Sequence, residues 1–288
     1  MKIFINLYLK SCIVYKIMNN CSYFIKDKAL FGSFPTQESV DELEREGVRY
    51  FVDLTDNLNE TKITPYKTQY SYINFPIKDH YVPTNWVAFA QFILKIAKII
   101  KNLKNGEKLY INCRAGHGRS GVVVACLLCL IFDLTPQQAL DYTTKCHSNR
   151  AVMKEKWRKI GSPQTFLQKK FVNKFFEPLK IYHLNKNSII LGFSNISNHP
   201  VTIYDKNFEN SEQAIKYQFE KNLENNKISV IKDILKAKFD QNKDIHKNII
   251  NTGLRPFVYH SNKNIKNDKN ILGKILTNIR NEYYENIN

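Results

Sequence analysis

The stretch Leu109-Tyr-Ile-Asn-Cys113-Arg-Ala-Gly-His-Gly-Arg119-Ser120-Gly121 constrains this chain more than any other. Lys108–Cys113 reads as a strand, Gly116 and Gly118 as a tight turn, and Arg119–Phe132 as a helix apolar nearly all round, hence buried. A strand running through a short glycine turn into a buried helix is one half of a layered α/β unit.

The same residues suit a phosphate ester. Two glycines let the backbone amides of Arg114, Ala115, Gly116, His117 and Gly118 converge on one anion. A helix beginning at Arg119 aims its positive end at that point. The Arg119 guanidinium offers a planar fork to two phosphate oxygens. Cys113 enters from the strand end, and helix N-termini and nearby cations lower a thiol pKa from about 8.5. A site for a dianion is therefore also a site for a thiolate nucleophile. The Ser120 hydroxyl is placed to hydrogen-bond the sulfur and ease its departure from phosphorus.

Around this segment the first 180 residues alternate strand-like and helix-like stretches. Ala29–Ser33 is a short strand, followed by a helix from Thr36, its N-cap, through Glu46. Arg49–Thr55 and Tyr70–Ile77 read as strands. Apolar residues recurring every three or four positions make Thr84–Asn105 an amphipathic helix. Thr135-Pro-Gln-Gln138 combines N-cap, first-turn proline and capping-box glutamine, and opens a helix to Cys146. Ser162-Pro163 is read as opening another, through about Glu177. The alternation predicts an α/β fold with a mostly parallel sheet flanked by helices.

Composition narrows the setting. The chain has 288 residues, enough for one large or two modest domains, and 43% are hydrophobic, which excludes wholesale disorder. Cys126 and Cys129 form a CxxC inside the apolar run Val122–Phe132 with no second Cys/His pair, so they read as core rather than zinc ligands. No metal or cofactor is implied. The cysteine pattern suits a reducing, cytoplasmic compartment. No apolar stretch reaches the length of a membrane span, and no cleavage site follows the Lys2–Leu9 segment. Met18 is an alternative start. The net charge of +17 comes from dispersed lysines rather than an arginine-rich tract; it attracts anionic substrates and leaves a nucleic-acid partner open.

Residues 28–178 resemble the cysteine-dependent protein-tyrosine and dual-specificity phosphatases, whose signature is His-Cys-x5-Arg-Ser/Thr. The resemblance implies nucleophilic attack by Cys113, oxyanion binding by Arg119 and the loop amides, and a phospho-cysteine intermediate. It also implies a general acid on an upstream loop, and Phe75-Pro-Ile-Lys-Asp79-His-Tyr-Val-Pro83 places Asp79 in that role. Pro163-Gln164-Thr165-Phe-Leu-Gln168 resembles the segment that orients the hydrolytic water, through Gln164. Asn112 stands where the family has histidine, a position that bonds backbone around the loop; the change implies a raised thiol pKa and reduced activity. Arg114 and His117 are expected to add positive charge to a shallow, dual-specificity-like pocket. Phosphoprotein substrates are the first expectation. Phosphoinositide and RNA 5′-phosphate substrates, and a binding-only pseudophosphatase, are the alternatives.

Beyond residue 180 the texture becomes more polar and rich in asparagine. Ser188–Phe193 and Val201–Tyr204 read as strands, and Ser211–Asn222, Lys227–Asp240, Asp244–Thr252 and Ile271–Tyr284 as helices. Phe193-Ser-Asn195, Ser211-Glu212-Gln-Ala214, Ala237-Lys-Phe239 and Gly273 resemble NADAR (YbiA-like) domains. The resemblance implies Glu212 as a catalytic carboxylate and an ADP-ribose-type ligand. A shortened 217–237 stretch and a missing Trp-Gly element favour a binding or scaffold role. The expected organisation is an extension over 1–27, a phosphatase domain over 28–180 and a smaller α+β, mainly helical domain over 181–288.

Overall fold

A computed structural model describes residues 20–56, 63–182, 191–220, 227–260 and 270–286. They fall into two compact units, one of Met1–Asn85 with Phe92–Phe176 and one of Trp86–Gln91 with Glu177–Asn288.

The first unit is built on a five-stranded sheet: β1 (Cys21–Ile25), β2 (Ala29–Ser33), β3 (Val48–Asp53), β4 (Ser71–Asn74) and β5 (Lys108–Cys113). Their spatial order is β1-β2-β5-β3-β4. β2, β5, β3 and β4 run parallel, and β1 joins antiparallel to β2. The parallel, helix-flanked sheet matches the α/β expectation. β1 does not: Cys21–Ile25 lies in the stretch expected to be an extension, yet it pairs with β2, with a register shift between Tyr23 and Ile25. The Met18 start and the Lys2–Leu9 segment lie outside the described residues.

Alternation along the strands sorts the side chains into two layers. Leu30, Tyr110 and Phe51 lie in register on one face. They share a cluster with Val40 and Leu43 of α1 (Gln37–Arg45). Phe31, Ile111 and Val52, one residue on, are in register on the other face. There α3 (Arg119–Phe132) packs on β2 and β5 and against α4 (Pro136–Ser148) and α6 (Phe166–Phe175). Every residue of α3 from Arg119 to Cys129 is buried; fully burying each large apolar side chain contributes about 1.5–3 kcal/mol. Cys126 and Cys129 are free thiols inside that helix, and burial pushes the Cys129 pKa up to about 12. The remaining helices of the run are α2 (Trp86–Asn102) and α5 (Glu155–Ile160).

Two helix starts show how local chemistry sets boundaries. Thr135 accepts from the Gln138 amide while Gln138 bonds back to the Thr135 amide, the expected capping box. At α6 the same device sits three residues later than expected. Ser162-Pro163 is a cis bond in the preceding turn, and Thr165 with Gln168 forms the capping box.

The second unit contains parallel β6 (Leu179–Tyr182) and β9 (Phe257–His260) and an antiparallel hairpin of β7 (Val201–Ile203) and β8 (Lys206–Phe208). Its helices are α7 (Ser211–Glu220), α8 (Lys227–Gln241), α9 (Lys243–Ile250) and α10 (Ile271–Asn286). Phe193, Phe239, Phe257, Leu276 and Ile279 sit in its core. The expected strand over Ser188–Phe193 is corrected where it is described: Leu191–Phe193 is a single 3₁₀ turn, and residues 188–190 lie outside the described residues.

Candidate active site

The signature segment stands at the C-terminal edge of the sheet, where a parallel α/β sheet leaves its crevice. Cys113 is the last residue of β5 and is 3% exposed. The chain then turns through Arg114–Gly118 into α3. The Arg114 carbonyl accepts from the Phe34 amide at 3.1 Å, which ties the loop to the end of β2. Gly116 takes φ +72°, and a Cβ there would lie 2.4 Å from the Gly32 carbonyl carbon. Neither the dihedral nor the space admits a side chain, so glycine is required.

The Cys113 thiol contacts Ser120 Oγ at 3.5 Å, at the N-terminus of α3. Arg119 is 1% exposed. Its Nη1 donates to the Ile77 carbonyl at 3.0 Å, and its Nη2 lies 3.0 Å from Asp79 Oδ1. The structure thus pairs four expected residues in two contacts, Cys113 with Ser120 and Arg119 with Asp79, joined by the Arg119–Ser120 peptide. Asp79 remains 41% exposed on its loop and also accepts from the His80 amide. Its carboxyl is thus held by the guanidinium yet open to solvent.

Asn112 shows a difference from expectation. Because strand side chains alternate, it faces away from Cys113 toward the Tyr110 side of the sheet. Its Nδ2 donates to Asp53 Oδ1 at 2.8 Å, and its Oδ1 accepts from Tyr66 at 3.1 Å. Asp53 is itself fully buried and accepts further from the Thr55 amide, the Thr55 hydroxyl and Tyr72. Position 112 therefore serves a buried carboxylate one strand away, rather than the loop.

His117 departs from expectation too. Its Nδ1 lies 2.7 Å from His147 Nε2, and its ring stacks on Trp157 at 5.0 Å between centroids. Burial, and then the Arg150 charge, lower its pKa to about 4. His147 is lowered to about 3, again chiefly by burial. At neutral pH the pair is uncharged, so His117 holds the loop in place instead of adding positive charge. Its carbonyl accepts from Ser162 at 2.7 Å, a second tie. Arg114 alone keeps an exposed charge within the loop.

A glutamine that reaches the loop is Gln168. Gln164 is half-buried in the turn before α6. Gln168 is fully buried, and a Cβ on Gly118 would lie 2.8 Å from its Nε2. That nitrogen also donates to the Tyr81 carbonyl at 3.2 Å, joining α6 to the Asp79 loop. The Thr165-x-x-Gln168 capping pattern was the signal that could have found it.

Glu212 lies in the second unit, at the start of α7. Its amide donates to the Asn195 carbonyl at 3.0 Å and its carboxylate pairs with Lys216 at 3.0 Å. Among the described residues no group of three or more His, Cys, Asp or Glu side chains could hold a metal ion. No described helix is long and apolar enough to cross a membrane.

Comparison with known proteins follows the same residues. Residues 18–172 match the family described as "Swiss Army Knife protein, DSP-PTPase phosphatase domain". The chain is 35% identical over 284 residues to "Putative tyrosine phosphatase 197R" of Invertebrate iridescent virus 6, covering 93% of this chain and 96% of that protein. It is 39% identical over 160 residues to "Putative tyrosine phosphatase 067L" of Invertebrate iridescent virus 3, covering 55% and 66% respectively. A crystal structure of kinase associated phosphatase, its catalytic cysteine replaced by serine, aligns with 54% of this chain and 92% of its own, at 19% identity and a TM-score of 0.42.

Proposed function

The chain belongs to the DSP-PTPase phosphatase family, and from that membership we propose that it hydrolyses phosphomonoesters through a phospho-cysteine intermediate at Cys113. Phosphotyrosine, phosphoserine and phosphothreonine esters are the substrates of this reading. Arg119 and the amides of residues 114–118 hold the non-bridging oxygens. The Cys113 sulfur attacks phosphorus as the ester oxygen leaves, and Asp79 gives that oxygen its proton. Positioned acids of this kind contribute about 10²–10⁴-fold. Water then cleaves the sulfur–phosphorus bond, Asp79 takes up its proton, and Ser120 stabilises the departing thiolate. Inorganic phosphate and free enzyme remain.

The observation that carries this reading is a pair of contacts. A buried thiol sits on the hydroxyl at a helix N-terminus, and the arginine beside that hydroxyl is paired with a half-exposed carboxylate. The test is hydrolysis of para-nitrophenyl phosphate by the full chain. Expected is vanadate-sensitive turnover that Cys113→Ser abolishes; turnover surviving that change would overturn it.

For residues 181–288 the proposal is a NADAR-like module over the second unit. It is supported by the hydrogen bonds that hold Ser211 and Glu212 against Asn195. Release of ADP-ribose from an ADP-ribosylated substrate, lost in Glu212→Gln, is its test; release unchanged by that substitution removes the role of Glu212.

A further inference from the structure

Three loops touch the phosphate loop, and each carries an apolar side chain into solvent. The Asp79 loop, joined to Arg119, bears Tyr81, 50% exposed. The segment ahead of Trp157, whose ring stacks on His117, bears Val152, 58% exposed. The first turn of α6, whose Gln168 lies against Gly118, bears Phe166 at 81% and Leu167 at 46%. These are four of the eight large apolar side chains that are exposed among the described residues. Scattered exposed apolar residues need no explanation, but a set gathered on the loops of one mouth does.

The same loops are basic. Residues 151–170 hold Lys154, Lys156, Arg158, Lys159, Lys169 and Lys170 against one acid, Glu155, which is paired with Arg158. Lys78 lies over the Tyr81 ring at 4.7 Å and Lys156 over Trp157 at 5.1 Å, so cations and rings share the rim. The four side chains lie on three separate segments and none is in a strand, which suits a broad surface better than an extended peptide. Apolar side chains beside lysines are the composition that inserts into the boundary of an anionic bilayer. A second copy of this chain would bring like charge against like.

We propose that this rim docks on an anionic lipid surface, and that a phosphomonoester headgroup in that surface is a further substrate beside the phosphoprotein esters named above. This rests on the phosphatase reading above. Phe166 and Leu167 enter the acyl boundary, the lysines meet anionic headgroups, and the phosphate loop faces the membrane. The reaction keeps its balance: the lipid's ester oxygen leaves as an alcohol with the Asp79 proton, and water releases phosphate from Cys113.

The test uses the full chain and a Phe166→Ser/Leu167→Ser double variant, with vesicles of phosphatidylcholine with and without phosphatidylserine. Each protein is assayed by sedimentation, by phosphate release from vesicles doped with phosphatidic acid, and on soluble para-nitrophenyl phosphate. Expected is sedimentation of the wild type that requires phosphatidylserine and weakens with salt. Vesicle turnover should fall at least about tenfold in the variant, with soluble turnover unchanged. Equal vesicle turnover by both proteins, or sedimentation indifferent to phosphatidylserine, overturns the proposal. So does a phosphopeptide whose turnover falls in the variant as much as that of the vesicles, because the rim is then a peptide site. A wild type inert on para-nitrophenyl phosphate that still sediments as expected sinks the phosphatase reading and keeps the docking surface.

Discussion

Asn112 Nδ2 donates to Asp53 Oδ1 at 2.8 Å, so the residue immediately before the nucleophile is spent on a buried carboxylate in the neighbouring strand. The amide offers that carboxylate a hydrogen bond but no opposing charge. Asn112→His should let an imidazolium pair with Asp53. Relative to the wild type, its stability in denaturant is then expected to grow as pH falls through the ordinary histidine range. Asn112→Ala should leave Asp53 and Tyr66 short of a partner and cost about 1–3 kcal/mol of stability in denaturant titration. A stability difference that does not change with pH would show that no imidazolium pairs with Asp53.

The Asp79–Arg119 contact makes leaving-group dependence the sharp test of the acid. Asp79→Asn is expected to lower kcat on alkyl phosphates by about 10²–10⁴. On para-nitrophenyl phosphate, whose phenolate leaves without help, the loss should be much smaller. Equal losses on both substrates would assign Asp79 to holding Arg119 rather than to proton transfer.

Gln168 caps α6, lies against Gly118 and tethers the Tyr81 carbonyl, and these jobs can be separated. Gln168→Glu keeps a capping-box acceptor but cannot donate to Tyr81. It should preserve the unfolding midpoint to within a few degrees while lowering turnover. Gln168→Ala should lose both, at a cost of about 1 kcal/mol for the cap. Gln164→Ala is expected to be close to silent in both assays.

The His117–His147 pair gives unit one an acid sensitivity with a definite sign. Both folded-state pKa values are depressed, to about 4 and about 3, from an ordinary 6.5. Between those limits the unfolded chain binds protons that the folded chain refuses. Stability conferred by the neutral pair is therefore full above pH 6.5 and is lost as pH falls toward 4. Thermal unfolding followed by Trp157 fluorescence should show this decline, and His147→Gln should flatten it. An identical pH slope in the two proteins would contradict the buried neutral pair.

The site was legible where its chemistry is local. Cys113, Arg119 and Ser120 lie within eight residues, and the strand–turn–helix that presents them follows from glycines and apolar periodicity alone. Asp79 was reachable only through resemblance, because its partner Arg119 is forty residues away. Gln164 rests on the resemblance of the Pro163–Gln168 segment, whereas the packing of Gln168 on Gly118 follows from where Thr165 starts the helix. The destination of the Asn112 side chain depends on which face of β5 it occupies and on Asp53 in a neighbouring strand, and neither is written in its own segment. The charge state of His117 was misjudged for the same reason: its burial comes from Trp157 and α4. In the second unit, the pairing of Leu179–Tyr182 with Phe257–His260 joins segments some seventy-five residues apart, and no local pattern announces it.

Rapid acid quench of the wild-type chain during para-nitrophenyl phosphate turnover, followed by mass spectrometry of the peptide containing Cys113, tests the central claim most directly. The expected result is a peptide heavier by one phosphoryl group on Cys113, which appears within a single turnover and is absent in Cys113→Ser. Phosphate released at full rate with Cys113 never modified, or with the phosphoryl group found on another residue, would contradict it.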